Sequence, residues 1–294
     1  MAKPQRSVIV LAVFMRKSLL KSGCQQVINR AAAGFSGDEL MAGRMLLQAS
    51  GLIKRSNGRA VVDDLGFRVG SGEIVGLLGR NGAGKTTTFR ITVGMIDANA
   101  GRIVFDGRDV THLPMYRRAQ MGMGYLSQEP SVFRRLTVEQ NLLAVLETMR
   151  GLSRRQRKAR AGELIEQFGL SRQRKQEAQT LSGGERRKLE IARALVTNPK
   201  LILLDEPFSG VDPIAVQELQ REILRLKVEH GIAILLTDHN VRETLAVTDR
   251  SYIIDEGKEL RSGSPQELVR DELVRRTYLG NTFRGDEFDQ LPGN

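Results

Sequence analysis

From Met45 to about Val110 the apolar residues come in short bursts broken by glycines and polar clusters. "LLQASGLIKRSNGRAVVDDLGFRV" alternates like strands with one buried face, and its "SNGR" carries the Asn-Gly signal of a tight hairpin. "EIVGLLG" is a continuous apolar run and predicts a buried strand; "KTTTFRITVGM" after it predicts a helix. "GRIVFDGRDV" predicts a further strand pair across a glycine turn. Together these predict a sheet that is antiparallel at its edge and parallel at its centre.

From about 129 to 197 the period becomes helical, in "VEQNLLAVLETMR", "ARAGELIEQFGL" and "GERRKLEIARALV". "KLILLDE" and "IAILLTDH" then return as unbroken apolar runs, the pattern of central parallel strands buried on both faces. "PIAVQELQREILRLKVEHG" between them predicts a crossover helix. The expected fold is α/β: a P-loop nucleotide-binding core with an antiparallel edge sheet and an inserted helical lobe over about 129–197. The whole is expected in one domain, 45–294.

Composition narrows this reading without redirecting it. The chain has 294 residues, 40% hydrophobic and 27% charged, enough for a large core. A single cysteine, Cys24, excludes an internal disulfide framework. No apolar run approaches the roughly 18 residues that cross a bilayer. The net charge of +11 raises nucleic acid or an anionic membrane as partners. No aromatic-rich basic module accompanies the charge, so no nucleic acid is expected. "RRQRKAR" at 154–160 reads as the wet face of a helix. Residues 1–44 stand apart. "SVIVLAVF" followed by Arg16 and Lys17 fits a signal-peptide core, a membrane-surface segment, or an extension upstream of a fold that starts near Met45. The reading favoured here is an N-terminal extension over 1–44, disordered or outside the core, on which nothing later in the chain depends.

The chemistry begins at Gly79-x-x-x-x-Gly84-Lys85-Thr86. Small residues let a strand turn sharply into a helix while backbone N–H groups point into a concave loop, a setting for phosphate. In Gly79, Arg80, Asn81, Gly82, Ala83, Gly84, Lys85, Thr86 and Thr87 the spacing predicts a cradle for the phosphates of a nucleotide. Lys85 reaches the outer phosphates and Thr86 binds Mg²⁺. "LILLDEP" sets Asp205 and Glu206 where a buried strand ends, and ligands of open α/β sheets bind at such ends. Asp205 is expected to hold Mg²⁺ and Glu206 to prepare the attacking water. Gln128 and His239 also follow strands; Gln128 is expected at Mg²⁺ or the water, and His239 at a γ-phosphate oxygen or holding the Glu206–water geometry. "LSGGERRKLEIARAL" opens a helix with Ser182, Gly183, Gly184 and Glu185, a second phosphate-facing end on a different lobe. Such an end suits the nucleotide of another subunit.

The ordered set GRNGAGKT, Gln128, LSGGE, LILLDE, "SGVD" at 209–212 and His239 resembles the nucleotide-binding subunit of ATP-binding cassette (ABC) transporters, over about 46–283. The resemblance implies a head-to-tail homodimer with two ATP molecules between the subunits. Ser182 of one would close on the nucleotide held by Lys85 of the other, with Asp212 linking the two sites. In finer detail "GYLSQEPSVFRRLTVEQNLLAVL", "LLDEPFSGVDPIAV", "TDHNVRETLAV" and "YLGNTF" resemble the lipopolysaccharide-export ATPases, the LptB family. That implies integral membrane subunits docked around Phe133, Arg134 and Arg135, and a place on the cytoplasmic face of the inner membrane. Other ABC transport ATPases, such as branched-chain amino-acid importers, share much of the pattern; soluble ABC proteins share less. The chain departs from the family at Ser56, where an adenine-stacking aromatic is usual, and at Arg80 and Ser127, where proline is usual.

Overall fold

The computed structural model describes residues 44–129, 131–149 and 151–279. Apart from Arg44, the segment that the sequence sets apart at 1–44 lies outside the described residues, as does the "GNTF" of the tail motif. Strands β1 (Met45–Ser56) and β2 (Arg59–Gly70) form an antiparallel hairpin. Its turn residues Asn57 and Gly58 have φ of 50° and 79°, the left-handed pair whose twist matches that of the flanking strands. Strand β3 is Ile74–Gly79, and β4 (Ala100–Phe105) pairs with the far edge of β1 and with the short β5 (Arg108–Asp109). The first sheet therefore runs β2-β1-β4-β5.

The second sheet is built on β3. With β6 (Met123–Leu126), β7 (Leu201–Asp205), β8 (Ala233–Asp238), β9 (Arg250–Asp255) and β10 (Lys258–Gly263), its order is β10-β9-β3-β8-β7-β6. All its pairs are parallel except β9 with β10. The sequence pattern predicts one mixed sheet; the structure has two. The antiparallel strands lay their apolar faces on the parallel sheet rather than extending it. Leu47, Leu52, Leu65 and Phe67 share a core with Val75, Leu77, Leu201, Leu203 and Leu235. Hydrophobic period reports that a face is buried, and is silent on which strand edge pairs with which.

Nine helices surround the sheets among the described residues: α1 (Lys85–Val93), α2 (Met115–Gln120), α3 (Val138–Leu146), α4 (Arg154–Gln167), α5 (Gly183–Leu195), α6 (Pro213–His230), α7 (Val241–Leu245), α8 (Pro265–Arg270) and α9 (Glu272–Val274). Alternate residues of the central strands face the other way, where Ile202, Leu204, Ile234 and Leu236 pack with Leu142, Leu164, Leu189 and Ile223 of α3 to α6. Both faces of β7 and β8 are thus buried, which is why their sequences read as unbroken apolar runs. Thr137, Ser153, Ser182 and Ser264 each start a helix with a reciprocal capping box. Helix α6 carries the chain from β7 to β8 and stops at Gly231, φ 62°. Among the described residues no helix is long and apolar enough to cross a membrane.

One buried cation was not anticipated. Arg118 of α2 is 1% exposed and donates to the carbonyls of Ile91, Thr92, Thr111 and Leu113 at 2.6–3.0 Å. Two of those carbonyls close the C-terminal end of α1, where the helix dipole favours positive charge.

Candidate nucleotide site

Because β3, β8, β7 and β6 run parallel, the segments that leave their carboxyl ends meet along one edge. The loop after β3 turns through Gly82 (φ 84°) and Gly84 (φ 101°). A Cβ at Gly84 would lie 2.5 Å from the Val61 carbonyl oxygen, so only glycine fits. Helix α1 starts with no side-chain cap and no acidic residue in its first turn. Its first N–H groups are left for a ligand. Lys85 is 5% exposed, and its Nζ donates to the carbonyls of Gly79 at 2.7 Å and Arg80 at 3.1 Å. Burial lowers the Lys85 pKa, while Glu206, Asp238 and Asp205 pull the other way. The threonines divide: Thr88 is buried and donates back to Gly84 O at 2.9 Å, whereas Thr86 and Thr87 line the cleft. That cleft, 460 Å³, is bounded by Val61, Asn81, Gly82, Gly84, Lys85, Thr86, Thr87, Glu206 and His239. Arg80 is exposed beside it, and Ala83 is buried beneath the loop.

The carboxylates come from the neighbouring strand ends. Asp205 ends β7; its Oδ2 accepts from the Tyr125 hydroxyl at 3.2 Å, and its Oδ1 is buried with no protein partner. Burial raises the Asp205 pKa, and also pushes the Tyr125 hydroxyl up to about 12. Glu206 follows with φ 46°, its N–H bonded to Thr237 O at 2.8 Å. A left-handed residue with a side chain costs about 1–2 kcal/mol, and here it turns the carboxylate out of the strand line into the cleft. Gln128 Nε2 donates to Glu206 Oε2 at 2.9 Å. His239 Nδ1 lies 3.8 Å from the same oxygen and 3.5 Å from Asp238 Oδ1. Asp238, fully buried, accepts from Phe208 N and Asn240 N at 2.8 and 2.9 Å. It ties the turn after Glu206 to the turn that carries His239, and burial raises its pKa.

This donor set fits a magnesium nucleotide. A buried ammonium bonded to carbonyls beside an uncapped helix end calls for an anion. An orphaned buried carboxylate oxygen on Asp205, one residue before Glu206 of the cleft that the Thr86 hydroxyl lines, calls for a cation. Among the described residues no cluster of three or more His, Cys, Asp or Glu could hold a metal alone. Mg²⁺ takes one or two protein oxygen ligands and fills the rest of its shell with phosphate and water.

The structure does not bring the second phosphate-facing end to this cleft. Ser182 caps α5, and Glu185 returns to it: Ser182 N donates to Glu185 Oε2 at 2.9 Å, and Gln173 Nε2 donates to Oε1 at 2.6 Å. The bond from Ser182 N leads the causes that lower the Glu185 pKa. Both carboxylate oxygens are thus engaged within the chain. Gly183 and Gly184 line a different cavity, of 230 Å³, together with Asp212, Gln128 and Glu206. Asp212 accepts from Ile214 N and Ala215 N at 3.1 and 3.0 Å, capping α6. Phe133 is 47% exposed with the Arg193 guanidinium 4.8 Å over its ring, and Arg134 and Arg135 beside it are exposed. Ser56 is exposed at the end of the β1–β2 hairpin. Sequence reasoning missed Val61, Tyr125 and Asp238. The Asp238 position carried a signal, a carboxylate closing an apolar strand immediately before His239; the other two carried none.

A family model described as "ABC transporter" matches residues 62–209. The lipopolysaccharide export system ATP-binding protein LptB of Haemophilus influenzae is 54% identical over 239 residues, covering 81% of this chain and 99% of that protein. LptB of Escherichia coli K12 is 54% identical over 238 residues, covering 81% and 98%. A solved ATP-binding cassette of an ABC transporter, in its ADP conformation, superposes with a TM-score of 0.72 at 28% identity, covering 81% of this chain and 99% of that one. The chain belongs to the ABC transporter family and is one of its ATP-hydrolysing subunits. Within that family it is similar to the LptB proteins along nearly their whole length.

Proposed function

We propose that this subunit hydrolyses ATP to drive the export of lipopolysaccharide or a related glycolipid from the inner membrane. It would work as a homodimer on the cytoplasmic face, bound to integral membrane subunits. The observation that carries the catalytic part is the meeting of Lys85, Glu206 and His239 on one cleft at parallel strand ends. The substrate assignment rests on 54% identity over nearly the full length of proteins named for lipopolysaccharide export.

In this reading Gly79 to Thr87 wrap the phosphates of ATP, and the Lys85 ammonium leaves its two carbonyls for phosphate oxygens. Thr86, Asp205 and Gln128 would hold Mg²⁺, Gln128 by its amide oxygen. When bound, Mg²⁺ neutralises phosphate charge. Glu206 orients the attacking water and accepts its proton, and Gln128 keeps that carboxylate in place. His239 donates to a γ-phosphate oxygen, held at its station by the Asp238 turn. Hydrolysis here depends on position and charge neutralisation and needs no covalent intermediate with the protein.

Gly183, Gly184 and Asp212 line a separate cavity and not the cleft of Lys85 and Thr86, which supports the service of this helix end, with Ser182, to the nucleotide of a second copy. Glu185 acts there by holding Ser182 rather than by touching ATP. Phe133, Arg134 and Arg135 are exposed and would receive the membrane subunits. The test is purification from native membranes in mild detergent, followed by reconstitution in vesicles. Integral membrane subunits should co-purify, and the assembly should extract lipopolysaccharide only with ATP. An assembly that instead takes up branched-chain amino acids, or a subunit with no membrane partner, overturns the proposal.

A further inference from the structure

The end of the described chain reaches back to the first residue of the phosphate loop. Tyr278 lies in a π-helical turn, Arg275–Leu279, 199 residues away from Gly79. Its hydroxyl accepts from Gly79 N at 3.0 Å and donates to Gly79 O at 3.3 Å. That carbonyl is the one Lys85 Nζ binds at 2.7 Å. One carbonyl therefore accepts from both the tyrosine hydroxyl and the Lys85 ammonium. The Tyr278 ring packs against an apolar cluster of Leu78, Leu245, Ile253 and Leu268, which fixes where the hydroxyl sits. Burial pushes its pKa up to about 12, so it stays a neutral donor at physiological pH. Only glycine fits at position 79, because a Cβ there would collide with the Ile254 carbonyl of β9.

We propose that Tyr278 is a positioning residue for nucleotide binding: its hydroxyl orients the Gly79 peptide, and so sets the resting place of the Lys85 ammonium. The C-terminal turn thereby becomes part of the ATP site without touching ATP. This rests on Lys85 as the phosphate-binding cation. The ring's packing alone gives Tyr278 a structural role, and the hydroxyl must be separated from it.

Tyr278→Phe removes only the hydroxyl. The ATP Kd and KM should rise about fivefold, the worth of one net hydrogen bond, with kcat within about twofold. The melting temperature should move by less than about 3 °C. Leu279→Ala loosens the same turn without touching the hydroxyl, and should lower the melting temperature with Kd unchanged. Unchanged Kd and KM in Tyr278→Phe overturn the proposal. So does a Phe variant that fails to fold, or a Kd that tracks stability loss in both variants. Lys85→Ala is the control on the underlying reading. If it binds ATP normally, the site assignment fails; if it loses binding while Tyr278→Phe does not, Tyr278 alone is wrongly assigned.

Discussion

Gln128 and Glu206 leave the ends of neighbouring parallel strands, 78 residues apart in the chain, and their side chains meet in a 2.9 Å hydrogen bond. The bond holds the carboxylate that the left-handed turn at Glu206 aims into the cleft. Gln128→Ala should therefore release Glu206. Steady-state turnover should fall by about tenfold or more, the scale on which a placed proton acceptor contributes. ATP affinity, set mainly by the loop and Lys85, should change by less than about threefold. Turnover equal to the parent would mean that Glu206 needs no such support.

The base end of the site offers a gain rather than a loss. Ser56 stands exposed on the hairpin whose next strand places Val61 at the cleft. Ser56→Tyr should supply a stacking surface and tighten ATP by about 1 kcal/mol, roughly fivefold. Titration of the isolated subunit with ATP decides it. Unchanged or weaker binding would show that another residue covers the base.

Partner docking should separate from nucleotide binding at Phe133. The ring is half-exposed beneath Arg193, so its loss leaves the core intact. Phe133→Ala should weaken retention of membrane subunits by more than about 2 kcal/mol, as truncated aromatic anchors often do, with ATP affinity unaltered. A collapse of folding or of ATP binding would assign Phe133 to packing instead.

Arg118 predicts a stability effect. Arg118→Met preserves bulk but removes the guanidinium donor from four carbonyls, those of Ile91 and Thr92 buried and those of Thr111 and Leu113 partly so. Unfolding free energy should drop by about 3 kcal/mol or more, read by denaturant titration with the m-value held constant. A loss under about 1 kcal/mol would mean that water reaches those carbonyls.

What the sequence disclosed and what it hid follow one physical divide. The phosphate loop, the strand-end pair Asp205–Glu206 and the helix start at Ser182 depend on spacing within a dozen residues, so local pattern exposes them. The hairpin at Asn57–Gly58 is legible for the same reason. The contacts that complete the site join distant segments: Tyr125 with Asp205, Val61 with Gly84, Tyr278 with Gly79. Each depends on strand order and register, which hydrophobic period does not carry. Arg118 shows the limit from another side. In sequence it is one of a pair of cations on a short polar helix, and nothing there foretells that it turns inward to a helix end. The division of the strands into two sheets was hidden for the same reason, since edge pairing leaves no local trace.

The most direct test of Glu206 as the group that prepares water is Glu206→Gln. The amide keeps the shape of the side chain and removes the proton acceptor. A radiolabelled-ATP assay on the purified variant should show nucleotide bound at about the parent affinity and turnover reduced by at least about a hundredfold. On size exclusion with MgATP the variant should elute as a stable dimer, because ATP trapped between two copies is not consumed. Hydrolysis at near the parent rate would contradict the assignment, and would move the search for the proton acceptor to another group at the cleft, beginning with His239.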